Sequence, residues 1–308
     1  MLRHDIENGY ITYKVGCESF AGVPFPFVAI TGAVADKELV IPEFIDDKPV
    51  RKIAKDAFRE SALEKICLPD SLTTIEDDAF EGSKIKNITF GKGLVNINTH
   101  AFFDCTKLEE VEFNDGLMYI GPRAFYGCMA LNSFILPDSV RYVGKDVIDY
   151  CPAIKKIHLG KYADLDVDIR GDFAFNADSL EEITVHPDNK NHVIIDGVLY
   201  GTKDNILIKG CPESPITSIK VPEWVDKCAY FALTRMHSLK LINFKTAFIN
   251  NIHVSGLADL GNIVTYCLPN SRLKNWCISS GFTVKERSKL YSFLEEVDND
   301  KSRDGDDI

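Results

Sequence analysis

The chain has 308 residues, 45% of them hydrophobic and 26% charged, which is the composition of a folded protein with a sizeable core. Its formal net charge of −11 argues against nonspecific nucleic-acid binding and against docking on an anionic membrane, because both need a basic face. No run of 18 apolar residues occurs, so no helical membrane span is expected.

The N-terminal residues Met1-Leu2-Arg3-His4-Asp5 lack the layout of a signal peptide. The expected address is therefore cytoplasmic, or the cell surface or exterior if a leader has been removed. Residues 1–38 are expected to cap a repeat array. Ile11, Tyr13 and Val15 alternate with Thr12 and Lys14, which predicts an edge strand.

From residue 39 to 268 a pattern L-x-x-L-x-L recurs, with aliphatic or aromatic residues at the marked sites. It stands at Leu63-Ile66-Leu68, Ile85-Ile88-Phe90, Leu108-Val111-Phe113, Leu131-Phe134-Leu136, Ile154-Ile157-Leu159 and Leu180-Ile183-Val185. Later copies are Ile216-Ile219-Val221, Leu239-Ile242-Phe244 and Ile263-Tyr266-Leu268. A second motif keeps the same beat: Ile53-Ala57-Phe58, Ile75-Ala79-Phe80, Ile97-Ala101-Phe102, Ile120-Ala124-Phe125 and the variant Val143-Val147-Ile148. Most starts lie 22 to 26 residues apart, the period of leucine-rich repeats.

The expected fold is a strand-rich α/β repeat solenoid, a right-handed leucine-rich-repeat stack. A parallel sheet covers one face, and short turns, 3-10 or helical, cover the other. Alternating residues such as Ile66 and Leu68 share one face of a strand, and Ala lets the backbone turn tightly beside an inward Phe. Pro69 and Pro137 follow two of the strands and would end them, because Pro offers no ladder donor. One coil cannot bury its apolar edge alone, so the stack is the folding unit.

A 36-residue gap separates the motifs starting at Leu180 and Ile216. An insertion at about 187–212 fills it. Asn191 to Tyr200 and Asn205 to Ile208 read as strands joined at Asp196-Gly197 and across 201–204. Residues 269–287 are expected to form a C-terminal cap, with Ser271 starting a short helix over Arg272 to Ile278, Gly281 closing it and Trp276 covering the last coil. Residues 288–308 read as an acidic tail, partly helical at Leu290 to Leu294, with seven acids after Leu294 against Lys301 and Arg303.

The run from Leu131 to Gly144, LNSFILPDSVRYVG, and the run from Ile120 to Cys128, IGPRAFYGC, resemble the BspA-like leucine-rich-repeat family. Its pattern reads L-x-x-L-x-L-P-x-S-V-x-x-I-G-x-x-A-F-x-x-C around the repeat, and the insertion is similar to one common in that family. The likeness covers roughly residues 39–268 and is weakest after Trp224. It implies a microbial surface protein, adhesin-like, that binds host or cell-surface proteins.

The candidate partner-binding face comes from the positions flanking the middle apolar site of each strand motif. These are Lys65 and Cys67, Asn87 and Thr89, Glu110 and Glu112, Ser133 and Ile135, Lys156 and His158, and Glu182 and Thr184. Mixed charges, hydroxyls and one isolated Ile suit a protein- or glycan-facing surface, and no aromatic stripe on it would stack bases. Plain solvation of an exposed sheet is the alternative reading.

Nothing points to chemistry. Nine cysteines without a CxxC pair read as mostly reduced, buried thiols, with Cys105, Cys128 and Cys151 in one column. The seven histidines form no ligand cluster, and no catalytic or phosphate-binding motif occurs, so neither metal nor cofactor is expected. Asn87-Ile88-Thr89 is a glycosylation sequon inside a predicted strand, a pattern that often arises by accident. The expectation is a non-catalytic protein-interaction module. The alternatives are an intracellular scaffold and, last, a hydrolase.

Overall fold

A computed structural model describes residues 2–7, 9–167, 179–229, 232–233, 235–244, 251–252, 263–267, 272–279 and 282–286. Among them the repeats form a strand-rich solenoid whose coils are joined along three hydrogen-bonded columns.

The first column is the front sheet. Glu38–Val40, Lys65–Cys67 and Asn87–Thr89 pair in parallel, with Leu39, Ile66 and Ile88 in one inward row. A single bridge from Asn87 to Glu110 carries the pairing to the next coil. Ser133–Ile135, Lys156–Leu159 and Glu182–Val185 continue in parallel register. The alternation of buried and exposed residues along these short strands follows from the two-residue period of the pleat.

The second column consists of two-residue strands: Thr74–Ile75, Asn96–Ile97, Tyr119–Ile120 and Tyr142–Val143. They pair in parallel and bury Ile75, Ile97, Ile120 and Val143 completely.

The third column crosses the far side and differs from expectation: its turns are neither α-helical nor 3-10. Two left-handed residues flank each Ala-Phe pair. Asp56, Asp78, His100, Arg123 and Asp146 have φ of 53 to 57°, and Glu60, Gly82, Asp104, Gly127 and Tyr150 have φ of 54 to 72°. A helix cannot run through such residues. The freed amides bond to the next coil instead: Phe58 N to Ala79 O at 2.7 Å, Phe80 N to Ala101 O at 2.8 Å and Phe102 N to Ala124 O at 2.7 Å. The turns are thus held by a ladder along the stack, which satisfies backbone groups that a helix would have satisfied internally.

Inside, Phe58, Phe80, Phe102 and Phe125 stack face to face with centroids 5.0 to 5.1 Å apart. Phe90, Phe113 and Phe134 come from the front strands and meet this stack edge-on. Both geometries are favourable for aromatic quadrupoles.

At the N-terminal end, Leu2–Ile6, Gly9–Phe20 and Val23–Val34 form an antiparallel meander. Val28 to Ile30 then pair in parallel with Lys48–Ile53, which extends the second column. The strand carrying Ile11 and Tyr13 is therefore central, not an edge. Its inner half is covered on both sides, and Leu2–Ile6 is the edge strand. The partner strand stops at the Leu2–Tyr13 pair, and Val15, beyond it, is 44% exposed.

The insertion folds as an antiparallel meander of His192–Ile195, Val198–Gly201 and Ile206–Gly210. Asp196 and Gly197 both adopt positive φ, the conformation that a two-residue hairpin turn requires. Its last strand pairs in parallel with Lys227–Cys228. Further on, Ser218–Lys220, Leu241–Asn243, Val264–Cys267 and Thr283–Glu286 form a parallel sheet.

Here one repeat is out of the expected phase. Ile219 and Ile242 pair with Thr265, which is fully buried, so Thr265 and not Tyr266 holds the inward site. A helix spans Arg272–Ser279, against the expected Arg272 to Ile278. Ser271, Gly281, the side chain of Trp276 and the tail 288–308 lie outside the described residues.

Candidate functional site

Strand register assembles most of the sequence-predicted face into rows. Lys65 stands beside Asn87 and Cys67 beside Thr89. Ser133, Lys156 and Glu182 form one row, and Ile135, His158 and Thr184 the next. Lys65, Asn87, Thr89, Glu110, Glu112, Ile135, Lys156 and Glu182 are exposed, whereas Cys67, Ser133, His158 and Thr184 are half-buried. The residues extend over six coils because each coil contributes one short strand or, at Glu110, a single bridge.

Much of the charge on this face is neutralised between adjacent coils. Lys65 lies 3.7 Å from Glu38 and Lys156 3.5 Å from Glu182. Along the rim, Glu64 sits between Lys37 and Lys86 at 2.6 and 2.7 Å, and hydrogen bonds from those ammonium groups hold its carboxyl down at about 2. His158 Nδ1 and Thr184 Oγ1 are 2.8 Å apart. Such exposed pairs fix side-chain positions more than they stabilise the fold.

Two features stand apart. A depression of about 250 Å³ is bounded by Asn87, Thr89, Glu110 and Glu112, with Phe90 at its wall. It opens where the front ladder narrows to the single bridge between Asn87 and Glu110. Glu110 accepts a hydrogen bond from Asn132 at 3.3 Å, and among the described residues neither Glu110 nor Glu112 has a cationic partner. One coil further, Ile135 is 45% exposed within an otherwise polar row. The arrangement presents an acidic notch next to an isolated aliphatic side chain. Sequence reasoning placed these residues on the face but could not see the notch, because the weak bridge depends on how neighbouring coils pair.

The cysteine column is buried. Cys105, Cys128 and Cys151 are fully enclosed, and all nine cysteines are free thiols. Burial pushes the Cys105 and Cys151 thiols up to about 12, and Cys128 is raised as well. A thiolate nucleophile or metal ligand needs the opposite shift. Among the described residues no three His, Cys, Asp or Glu side chains are grouped to hold a metal ion. Among the described residues no helix is long and apolar enough to cross a membrane. Asn87 and Thr89 of the sequon are exposed on the front strand.

Three solved structures share this architecture. The pneumococcal vaccine antigen PcpA aligns with a TM-score of 0.54 and 21% identity, covering 82% of this chain and 69% of that one. A leucine-rich repeat protein from Bacteroides ovatus aligns at 0.55 and 18%, covering 92% and 76%. A leucine rich cell surface protein from Faecalibacterium prausnitzii aligns at 0.51 and 17%, covering 94% and 96%. At these identities the likeness concerns the fold alone. No curated protein matches the sequence. The pattern of the BspA type leucine rich repeat region matches six copies, over residues 51–167 and 97–206. With half of its length matched by that pattern and its coils built on the same repeat, the chain belongs to the BspA-type leucine-rich-repeat family.

Proposed function

We propose that this protein is a non-catalytic interaction module that docks a protein partner on its front sheet at a microbial cell surface. The observation that carries the reading is the notch: the Glu110 and Glu112 carboxylates, without a cationic partner among the described residues, stand beside exposed Ile135 on the front face. Elsewhere on that face adjacent coils neutralise one another, so this is where an incoming basic and apolar segment gains most. A partner segment with one Lys or Arg next to an aliphatic or aromatic residue fits. The surface location is supported by two structural neighbours, the cell surface protein from Faecalibacterium prausnitzii and the vaccine antigen PcpA.

Two measurements test the reading. Photo-crosslinkers placed at Thr89 and Ile135 should capture a protein that a crosslinker at Glu60, on the turn side, does not. Glu110→Lys with Glu112→Lys should abolish that capture, and capture that survives the charge reversal would remove the notch from the interface. Protease treatment of intact cells should cleave the protein if it is surface-exposed.

A second reading, an intracellular scaffold using the same face, is favoured by nine cysteines that form no disulfide, which suits a reducing compartment. Complete protection in intact cells would select it.

A further inference from the structure

At His192 the chain leaves the coil register and enters the antiparallel meander of the insertion. The junction leaves an open groove of about 810 Å³ at the corner beside the front sheet. One part of its lining comes from Arg141 and from the next coil's Lys161, Tyr162 and Asp164; the other is the segment 187–191.

That segment is fixed before any ligand arrives. Asn189 Nδ2 donates to Gly160 O at 2.8 Å and to Ala163 O at 3.2 Å. Its Oδ1 accepts from the amides of Asn191 and His192 at 2.8 and 2.9 Å. Asn191 Nδ2 adds a bond to Ala163 O at 3.4 Å. These bonds tie the entry of the insertion to the preceding coil, so ordering this wall costs a ligand little.

The charges in the groove do not cancel. Lys161 pairs with Asp188 at 3.1 Å, and Asp164 pairs with Lys203, outside the groove, at 3.1 Å. Among the described residues no carboxylate forms an ion pair with Arg141 or Lys190, although Lys190 stands near enough to Asp188 to help hold its carboxyl down. The Arg141 guanidinium lies over the Tyr162 ring, 5.1 Å from its centroid, Lys161 Nζ lies 5.7 Å from the same centroid, and Tyr162 is still 48% exposed. Contact with the ring keeps the guanidinium at the groove, where its N–H groups can meet a carboxylate two-pronged. In a protein of net charge −11, a groove lined by Arg141, Lys161 and Lys190 against Asp164 and Asp188 favours an anion.

We propose that this groove binds a carboxylated saccharide. Arg141 and Lys190 take the carboxylate, and the open part of the Tyr162 ring packs against the C–H face of the sugar. The volume suits a small ligand. The lining offers Pro187 but no deep apolar pocket for the side-chain anchors that dominate protein interfaces, which favours a sugar over an acidic peptide. None of these residues belongs to the front-face rows, so this inference and the proposed protein docking stand or fall separately.

The test is calorimetric titration of the full chain with digalacturonate and sialyllactose, with lactose as the neutral control and a glutamate hexapeptide as the competing class. At least one acidic sugar should bind and lactose should not. Arg141→Ala with Lys190→Ala should weaken that binding by at least about tenfold. Tyr162→Ala should weaken it as well. The thermal midpoint of each exposed-residue variant should stay at the wild-type value, which separates lost binding from lost folding. Failure of both acidic sugars, binding that survives the double substitution, equal binding of lactose, or tighter binding of the hexapeptide would each overturn the proposal.

Discussion

Cys105 donates its thiol hydrogen to the backbone carbonyl of Phe80, one coil earlier, at 3.0 Å. Cys128 repeats the bond to Phe102 O at 3.3 Å and Cys151 to Phe125 O at 3.2 Å. Ser83 holds the same place one coil before Cys105, with its hydroxyl 3.4 Å from Cys105 Sγ. The column is therefore a structural seam in which a small, weakly polar side chain meets a turn carbonyl inside the core.

Thiol labelling follows directly from this seam. Native protein treated with a disulfide reagent at pH 8 should react at exposed Cys17 and more slowly at half-buried Cys67. The seven buried thiols should react only on unfolding, since the reagent cannot reach them in the fold. Release of more than two equivalents before unfolding would contradict the burial.

The stacked rings give the sharpest contrast in stability. Phe102 is fully buried and touches Phe80 and Phe125 at 5.0 Å on either side. Phe102→Ala should cost about 3–5 kcal/mol, as buried Phe truncations do. Exposed Glu112→Ala should stay within about 0.5 kcal/mol. Chemical denaturation of both variants measures the pair, and similar losses would mean that inside and outside are exchanged.

Gly144 marks a close approach of two coils. A Cβ built there would lie 2.3 Å from Pro122 N and 2.6 Å from Gly121 C, both backbone atoms of the neighbouring coil. Gly144→Ala must push two coils apart, and a loss of at least about 2 kcal/mol is expected on the scale of overpacked cores. At Gly22 a Cβ meets nothing within 4 Å, but φ is +79°. Gly22→Ala should cost only the left-handed penalty, about 1 kcal/mol. Equal melting temperatures for the two variants would contradict the close approach.

His192 makes the insertion junction acid-sensitive. Burial lowers its pKa to about 4, against a partial offset from nearby Asp164, the Ala163 carbonyl and Asp204, with Lys203 opposing. An imidazole that stays neutral in the fold but protonates when unfolded stabilises the fold fully above about pH 6.5. That contribution falls as pH drops from 6.5 and is gone below about 4, a total of roughly 3 kcal/mol. Denaturation midpoints measured between pH 7 and 4 should fall, and His192→Gln should flatten part of the slope. An unchanged slope would place the proton elsewhere.

Much of the fold was legible because its signal is periodic. Ile53, Ile75, Ile97, Ile120 and Val143 all reach the core, as do the Phe residues of the Ala-Phe pairs, since each must fill the same position of a stacked coil. The hairpin at Asp196-Gly197 was legible through its turn chemistry. The helical far side was a misreading. The recurring Asp56, Asp78 and Asp146 ahead of each turn, with Gly82 and Gly127 behind it, were the available signal for left-handed residues. The slip from Tyr266 to Thr265 arose because a lone aromatic in a short strand outweighed its register with Ile242.

By itself, then, the sequence determined the repeat, its phase through residue 244 and the rows of the front face, all of which follow from local spacing and the cost of exposing apolar side chains. Only the tertiary structure decided what those rows become. It narrowed the ladder between Asn87 and Glu110 into an acidic notch, and it brought Arg141, Tyr162 and Lys190 to one groove. Those outcomes depend on how successive coils pair and where the insertion departs from them, and residues that meet across 20 to 50 positions of chain leave no mark on local spacing.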